Sequence, residues 1–129
     1  MGIGIVLAAA VATCAPTTNG AGAPGDVART FFRHVDARDY AAALRLVVPG
    51  APYVERRSGE ESPVEDLLAQ LADGGDSVSR IQFVEQLTIP GVAAARTRVL
   101  YPREQPFEQI SVLVLRGGCI AEIHNYEAR

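Results

Sequence analysis

FEQISVLVLRGGCIAEIHNY, residues 107–126, is the stretch whose reading decides the fold. Ile110, Val112 and Val114 alternate with Ser111, Leu113 and Leu115, and Arg116-Gly117-Gly118 then turns the chain. Cys119 to Tyr126 runs back as a second alternating stretch. Two such runs joined by a short glycine turn read as a β-hairpin. The first run is apolar on both faces, so it belongs mid-sheet with something packed on each side. The returning run places Ile120, Glu122, His124 and Tyr126 on one face, and Ala121, Ile123 and Asn125 on the other. A face combining a His, a Glu and a Tyr is the first place to look for a site.

Before the hairpin, the alternation predicts strands over Val78–Ile89 and Val92–Tyr101, ended by Pro90-Gly91 and Pro102. In the second of these, Arg96 and Arg98 share a face expected to be the convex or dimer face. Further back the period changes. Val27, Phe31 and Val35 recur at helical spacing, with Asp26 as the expected cap of a helix running to about Arg38. Asp39 is expected to cap a second helix over Tyr40–Val47, closed by Pro49-Gly50. Pro52–Arg57 reads as a short strand and residues 58–61 as an exposed loop. Ser62-Pro63-Val64-Glu65 reads as a capping box opening a helix that buries Val64, Leu67, Leu68 and Leu71 and stops at Gly74-Gly75. Helices come early and strands late, which predicts an α+β class with a mainly antiparallel sheet.

A chain of 129 residues allows one folded domain, and 48% hydrophobic with 21% charged residues is a globular composition. Net charge is −3 with no basic run, which argues against a nucleic-acid partner. All twelve basic residues are Arg, so Schiff-base chemistry and a lysine base are excluded. Cys and His do not occur at zinc spacing, and neither a metal nor a cofactor is expected.

Ile3–Ala12 is an apolar run too short to span a bilayer as a helix, but of the right length for a signal peptide, which sets residues 1–13 apart. Val11-Ala12-Thr13-Cys14 resembles the lipobox of bacterial lipoproteins, and the resemblance implies that Cys14 is lipidated as the first mature residue. Residues 14–25 then form an uncharged tether rich in Gly, Ala, Pro and Thr. With Cys14 lipidated, Cys119 is a free buried thiol; with Cys14 unlipidated, an exported chain could join the two.

Val27-Ala28-Arg29-Thr30-Phe31-Phe32, Asp36-Ala37-Arg38-Asp39-Tyr40, Leu44, Tyr53-Val54-Glu55 and the closing Gly117-Gly118-Cys119-Ile120-Ala121-Glu122-Ile123 resemble nuclear transport factor 2-like, SnoaL-like and ketosteroid isomerase-like domains across residues 26–129. The resemblance implies a cystatin-like, cone-shaped curved sheet wrapped around three helices, with a pocket at the open end. It points to Phe31, Tyr53, Tyr101, Ser111 and Tyr126 as ligand-contact candidates. Against the isomerase pattern, Phe31 stands where a Tyr donor would be, Ser111 where a protonated Asp would be, and Glu55 (or Arg56, if the strand shifts by one) at the base. One such donor is worth roughly 3–4 kcal/mol of transition-state stabilisation, so steroid isomerisation is not expected.

His124 and Glu55 remain as acid/base candidates, against the plainer readings of a hydrogen-bonded wall residue and a solvated strand-end carboxylate. The expectation is therefore an exported, lipid-anchored pocket domain on the outer face of the cell membrane, or secreted. It would bind a small apolar or amphipathic molecule, or a partner protein, without catalysis. Two alternatives stand beside it: a SnoaL-like isomerase, dehydratase or cyclase using His124 and Glu55 across the pocket, and a non-catalytic module that forms a homodimer.

Overall fold

The computed structural model describes residues 14–15, 23–74 and 80–128. The expected signal peptide, most of the tether and the expected strand start at Val78 lie outside the described residues. Three helices come first: α1 (Pro24–Asp36), α2 (Tyr40–Leu44) and, after two short strands, α3 (Val64–Gly74). The strands are β1 (Pro52–Glu55), β2 (Glu61–Pro63), β3 (Arg80–Ile89), β4 (Val92–Leu100), β5 (Phe107–Arg116) and β6 (Cys119–Ala128). They form one sheet in the order β2-β1-β6-β5-β4-β3, antiparallel throughout except where β1 runs parallel to β6. The α+β class is thus as the sequence predicts, and the doubly apolar β5 is an interior strand.

The helix ends follow local chemistry. α1 begins two residues before the expected Asp26 cap: Ala23 is its N-cap without a side-chain bond, and Pro24 supplies the first turn. Asp39 does cap α2, its Oδ1 accepting from the Ala42 N–H at 3.1 Å. Arg38 turns the corner at φ 61°, the sharp bend expected between the helices. α2 stops at Leu44, not Val47, because residues 46–48 leave the helix to join the sheet. Val47 bridges Ile120, and the Val48 N–H donates to the Ile120 carbonyl at 2.9 Å. The expected capping box is also redrawn. Ser62, expected as the cap, instead pairs with Tyr53 inside β2, which takes in Glu61 of the expected loop, and the Glu65 carboxylate accepts from the Gly50 N–H at 2.9 Å.

Burial then selects one face of the sheet. Val27, Ala28, Phe31, Phe32 and Val35 of α1 pack with Ala93, Ala95, Leu113, Leu115, Ile120 and Ile123 of the sheet and with Val64 and Leu68 of α3. Placing small alanines on β4 opposite the phenylalanines of α1 lets helix and sheet approach closely. The other face of β3–β6 is open and carries ion pairs: Arg96 with Glu85 and Glu108, Arg98 with Glu108, and Arg116 with Glu122. Hydrogen bonds from Arg96 first and Arg98 second hold the Glu108 carboxyl below its usual range.

Cys14 is disulfide-bonded to Cys119, with Cα atoms 5.8 Å apart. The Cys14 N–H also donates to the Val47 carbonyl at 3.0 Å, so this residue continues the sheet extension made by residues 46–48. The structure therefore contains the pairing that the lipobox reading set second. A sulfur held in this bond cannot carry a lipid thioether, and Cys119 is not a free thiol.

Candidate functional site

The hairpin register contains one irregularity that decides where the site lies. Val114 pairs with Glu122 but Leu115 pairs with Ile120, so Ala121 is an extra residue on β6. The bulge lets Ile120 and Ile123 both face the core, and the strand alternates from there. Asn125 points inward, while Glu122, His124 and Tyr126 point outward. In the parallel pairing with β1, Val54 stands beside His124, whereas Tyr53 and Glu55 stand beside Ile123 and Asn125. His124 and Glu55 are therefore on opposite faces of the sheet. His124 Nε2 lies 2.9 Å from Glu122 Oε1 on the outer face, which makes it the partner of a surface carboxylate, and the two expected acid/base residues are not brought together.

The remaining candidates divide in the same way. Phe31 is buried in the core, edge-on to Phe32 with ring centroids 5.3 Å apart. Tyr126 is exposed on the outer face. Tyr53 and Ser111 face inward, and Tyr101 stacks on Phe107 at 5.8 Å between centroids.

A run of buried polar groups that sequence reasoning missed crosses the inner face. Ser111 Oγ donates to Asn125 Oδ1 at 2.7 Å, and Asn125 Nδ2 donates to Gln109 Oε1 at 3.1 Å. Thr97 pairs with Gln109 across the β4–β5 ladder and is fully buried, and its Oγ1 has no hydrogen-bond partner among the described residues. Leaving such a group unsatisfied costs about 1–3 kcal/mol, so apolar core packing alone does not account for this face. One signal was available. Gln109 and Ser111 are two apart on a strand and must share a face, and a hairpin of this length pairs them with residues near Asn125.

Beside that run lies a cavity of about 310 Å³, lined by Tyr53, Glu55, Ser62, Leu67 and Gln70 and rimmed by Glu60 and Glu61. β1 brings Tyr53 and Glu55, β2 brings Glu61 and Ser62, and α3 lays Leu67 and Gln70 across them. Glu55 Oε1 accepts from the Arg57 N–H at 2.6 Å, while its Oε2 is buried with no partner among the described residues. Burial raises the Tyr53 phenol well above the usual tyrosine range, and the carboxylates of Glu55 and Glu127 raise it further. A hydrogen bond with Asn125 acts the other way and is the smaller effect. Tyr53 is thus a neutral hydroxyl under ordinary conditions, able to donate and accept but not to serve as a base.

A second groove of about 460 Å³ runs between α2 and α3 along Tyr40, Leu44, Leu68 and Ala72. It is almost wholly apolar, whereas ligand sites usually combine an apolar wall with a few convergent polar groups. The cavity at Tyr53 and Glu55 has both. Among the described residues no cluster of His, Cys, Asp and Glu could hold a metal ion.

Early helices held against one face of a six-stranded sheet, with a cavity between β1, β2 and α3, define a nuclear transport factor 2-like, cystatin-like fold. Solved structures share it. A nuclear transport factor 2-like protein from Burkholderia xenovorans LB400 superposes with a TM-score of 0.71 at 14% identity, covering 81% of each chain. A cystatin-fold protein from Novosphingobium aromaticivorans gives 0.70 at 13% identity over 81% of this chain and 97% of the other. A SnoaL-like protein from Burkholderia thailandensis E264 gives 0.68 at 11% identity over 82% and 94%. No family model matches the chain, and no curated protein matches it in sequence. Identities this low establish the fold and leave the activity to the site.

Proposed function

We propose that this chain is an exported, non-catalytic binding domain that holds a small amphipathic molecule in the cavity at Tyr53 and Glu55. The carrying observation is that Phe31 and Phe32 belong to the packed core, while β1, β2 and α3 leave about 310 Å³ open, lined by Tyr53, Glu55, Ser62, Leu67 and Gln70. A ligand there would place apolar surface on Leu67 and a polar end at Glu55 and Tyr53. Catalysis is not favoured, because the one histidine considered for proton transfer faces the other way.

Export is supported by residues 1–13 as a signal peptide and by the Cys14–Cys119 disulfide, since such bonds persist in oxidising compartments. Lipidation of Cys14 is the competing fate of the same sulfur. The intact mass of the mature protein separates the two, as an added diacylglycerol or as the hydrogen loss of a disulfide.

The test of the binding reading is native mass spectrometry of the protein isolated gently from the cells that make it, beside a Leu67→Trp variant that fills the cavity. A small molecule retained by the parent and absent from the variant is the expected result. Parent and variant that are both empty would overturn it. A second reading, a dimerising interaction module, is favoured by Leu87, Ile89, Ile110 and Tyr126, all exposed on the open face of the sheet. Its mark would be an empty dimer that dissociates on Ile110→Glu.

A further inference from the structure

The two edges of the sheet are built differently. β2, at one end of the strand order, is three residues long and carries Glu61 and Pro63, a charge and an imino acid that discourage a further strand. β3, at the other end, is ten residues long, and from Gln86 to Ile89 it has neither a charge nor a proline. Only Pro90 and Gly91 separate Ile89 from Val92, so these two close the β3–β4 hairpin as a hydrogen-bonded pair. Hydrogen-bonded and non-hydrogen-bonded pairs then alternate back along the ladder. Ile89, Leu87 and Glu85 therefore direct their backbone groups to β4, whereas Thr88 and Gln86 direct theirs outward past the edge. Among the described residues no backbone group bonds to them there. The bulge at Val84 lies before this stretch and leaves its pairing regular from Glu85 to Ile89. Leu87 and Ile89, at 76% and 61%, are the most exposed large apolar side chains among the described residues.

We propose that the β3 edge pairs with the same edge of a second copy, antiparallel about a two-fold axis at Leu87, so that two sheets become one. In this register Gln86 faces the partner's Thr88 and Thr88 the partner's Gln86, each pair exchanging both of its backbone bonds. Leu87 faces the partner's Leu87 as a non-hydrogen-bonded pair, the kind whose side chains lie closer. A slip of one hydrogen-bonded step brings in either Pro90, which has no N–H, or Val84 of the bulge. No like charges meet, because Ile89 stands opposite the partner's Glu85, and each Glu85 is held by Arg96 of its own copy at 2.8 Å. The helices also permit the approach. α1 leads from Gly25, beside Gln86 and Thr88, to Asp36, which accepts from the Arg80 side chain and the Ile81 N–H. It thus runs away from Leu87, and the helices of the two copies diverge from the axis. The contact uses up both β3 edges and leaves only the protected β2 edges, so it closes at two copies. It involves neither the cavity at Tyr53 nor Ile110 and Tyr126 of the open face.

Sedimentation velocity of the full chain over a range of concentrations, with hydrogen exchange of single amides at the two extremes, tests the proposal. The expected result is a monomer–dimer equilibrium in which exchange of the Gln86 and Thr88 amides slows about tenfold or more where the dimer is favoured. Thr88→Pro removes an outward N–H at a place where an edge strand accepts proline. It should raise the dimer dissociation constant about tenfold or more, while Ile110→Glu leaves it unchanged. Should Thr88→Pro fail to fold by its thermal melt, Leu87→Lys, which sets like charges across the axis, takes its place with the same expected effect. A monomer at every concentration overturns the proposal. A dimer whose Gln86 and Thr88 amides exchange as fast as in the monomer overturns it too, as does one that Ile110→Glu dissociates and the edge variant does not.

Discussion

At the scale of the residue, Tyr53 and Asn125 hold most of what distinguishes this pocket from a plain core. Tyr53 gives a prediction with a definite sign. Its phenol is displaced upward by burial and then by Glu55 and Glu127, so the folded chain keeps the proton at a pH where the unfolded chain, near 10, has released it. The stability tied to neutral Tyr53 is complete below about pH 10 and is lost as pH rises toward the folded value. Urea midpoints measured upward from about pH 9 should fall more steeply for the parent than for Tyr53→Phe, and the late phenolate absorbance should vanish in the variant. Identical alkaline slopes would contradict the burial of this hydroxyl. Tyr53, Glu55 and Ser111 were nominated by the family resemblance, and the strand pairings turn all three inward. Sequence alone misassigned His124 and Tyr126, since face along a strand is counted from an origin and one extra residue at Ala121 changes the count.

At the scale of the element, the β5–β6 hairpin controls the site. Gly117 and Gly118 both have positive φ, 56° and 81°, the pair of left-handed positions that a tight two-residue turn needs to match strand twist. A β-branched residue at the second position would meet a left-handed penalty of about 1–2 kcal/mol. Gly118→Val is therefore expected to lower the urea-derived stability by about that amount. It should also weaken protection of the Leu113 and Ile123 amides in hydrogen exchange more than those of α3. A uniform loss across the chain would place the turn's contribution elsewhere. The glycine pair and the flanking alternation made this element legible from the sequence. β2 was not legible, because Glu61-Ser62-Pro63 has no strand pattern of its own and exists as a strand only because β1 offers it an edge.

At the scale of the whole molecule, the Cys14–Cys119 bond ties the segment before α1 to the start of β6, across a sequence separation of 105 residues. The chain-entropy account gives about 4–5 kcal/mol for closing a loop of that length. Reduction, or Cys119→Ser, should lower the melting temperature markedly, and added dithiothreitol should leave the Cys119→Ser protein unchanged. A parent indifferent to reductant would show that the bond does not stabilise the fold. The polarity of the sheet is the other global feature. Helices cover one face, and the ion pairs of Arg96, Arg98 and Glu108 lie on the other beside exposed Leu87 and Ile110. The inner polar groups at Tyr53 and Glu55 and the exposed apolar residues of the outer face are thus kept apart by one layer of backbone.

What the sequence by itself determined was the kind of structure: helices then strands, the bend at Arg38-Asp39, the interior position of β5, and the resemblance to nuclear transport factor 2-like domains. Those follow from local periodicity and turn chemistry, which short windows of sequence contain. Only the tertiary structure decided which face of β6 turns toward the helices, that β1 lies parallel beside it, and that Cys14 reaches Cys119. Each of these is a choice between partners far apart in the chain. Such choices are settled by how the whole sheet buries its apolar face, which no local window records.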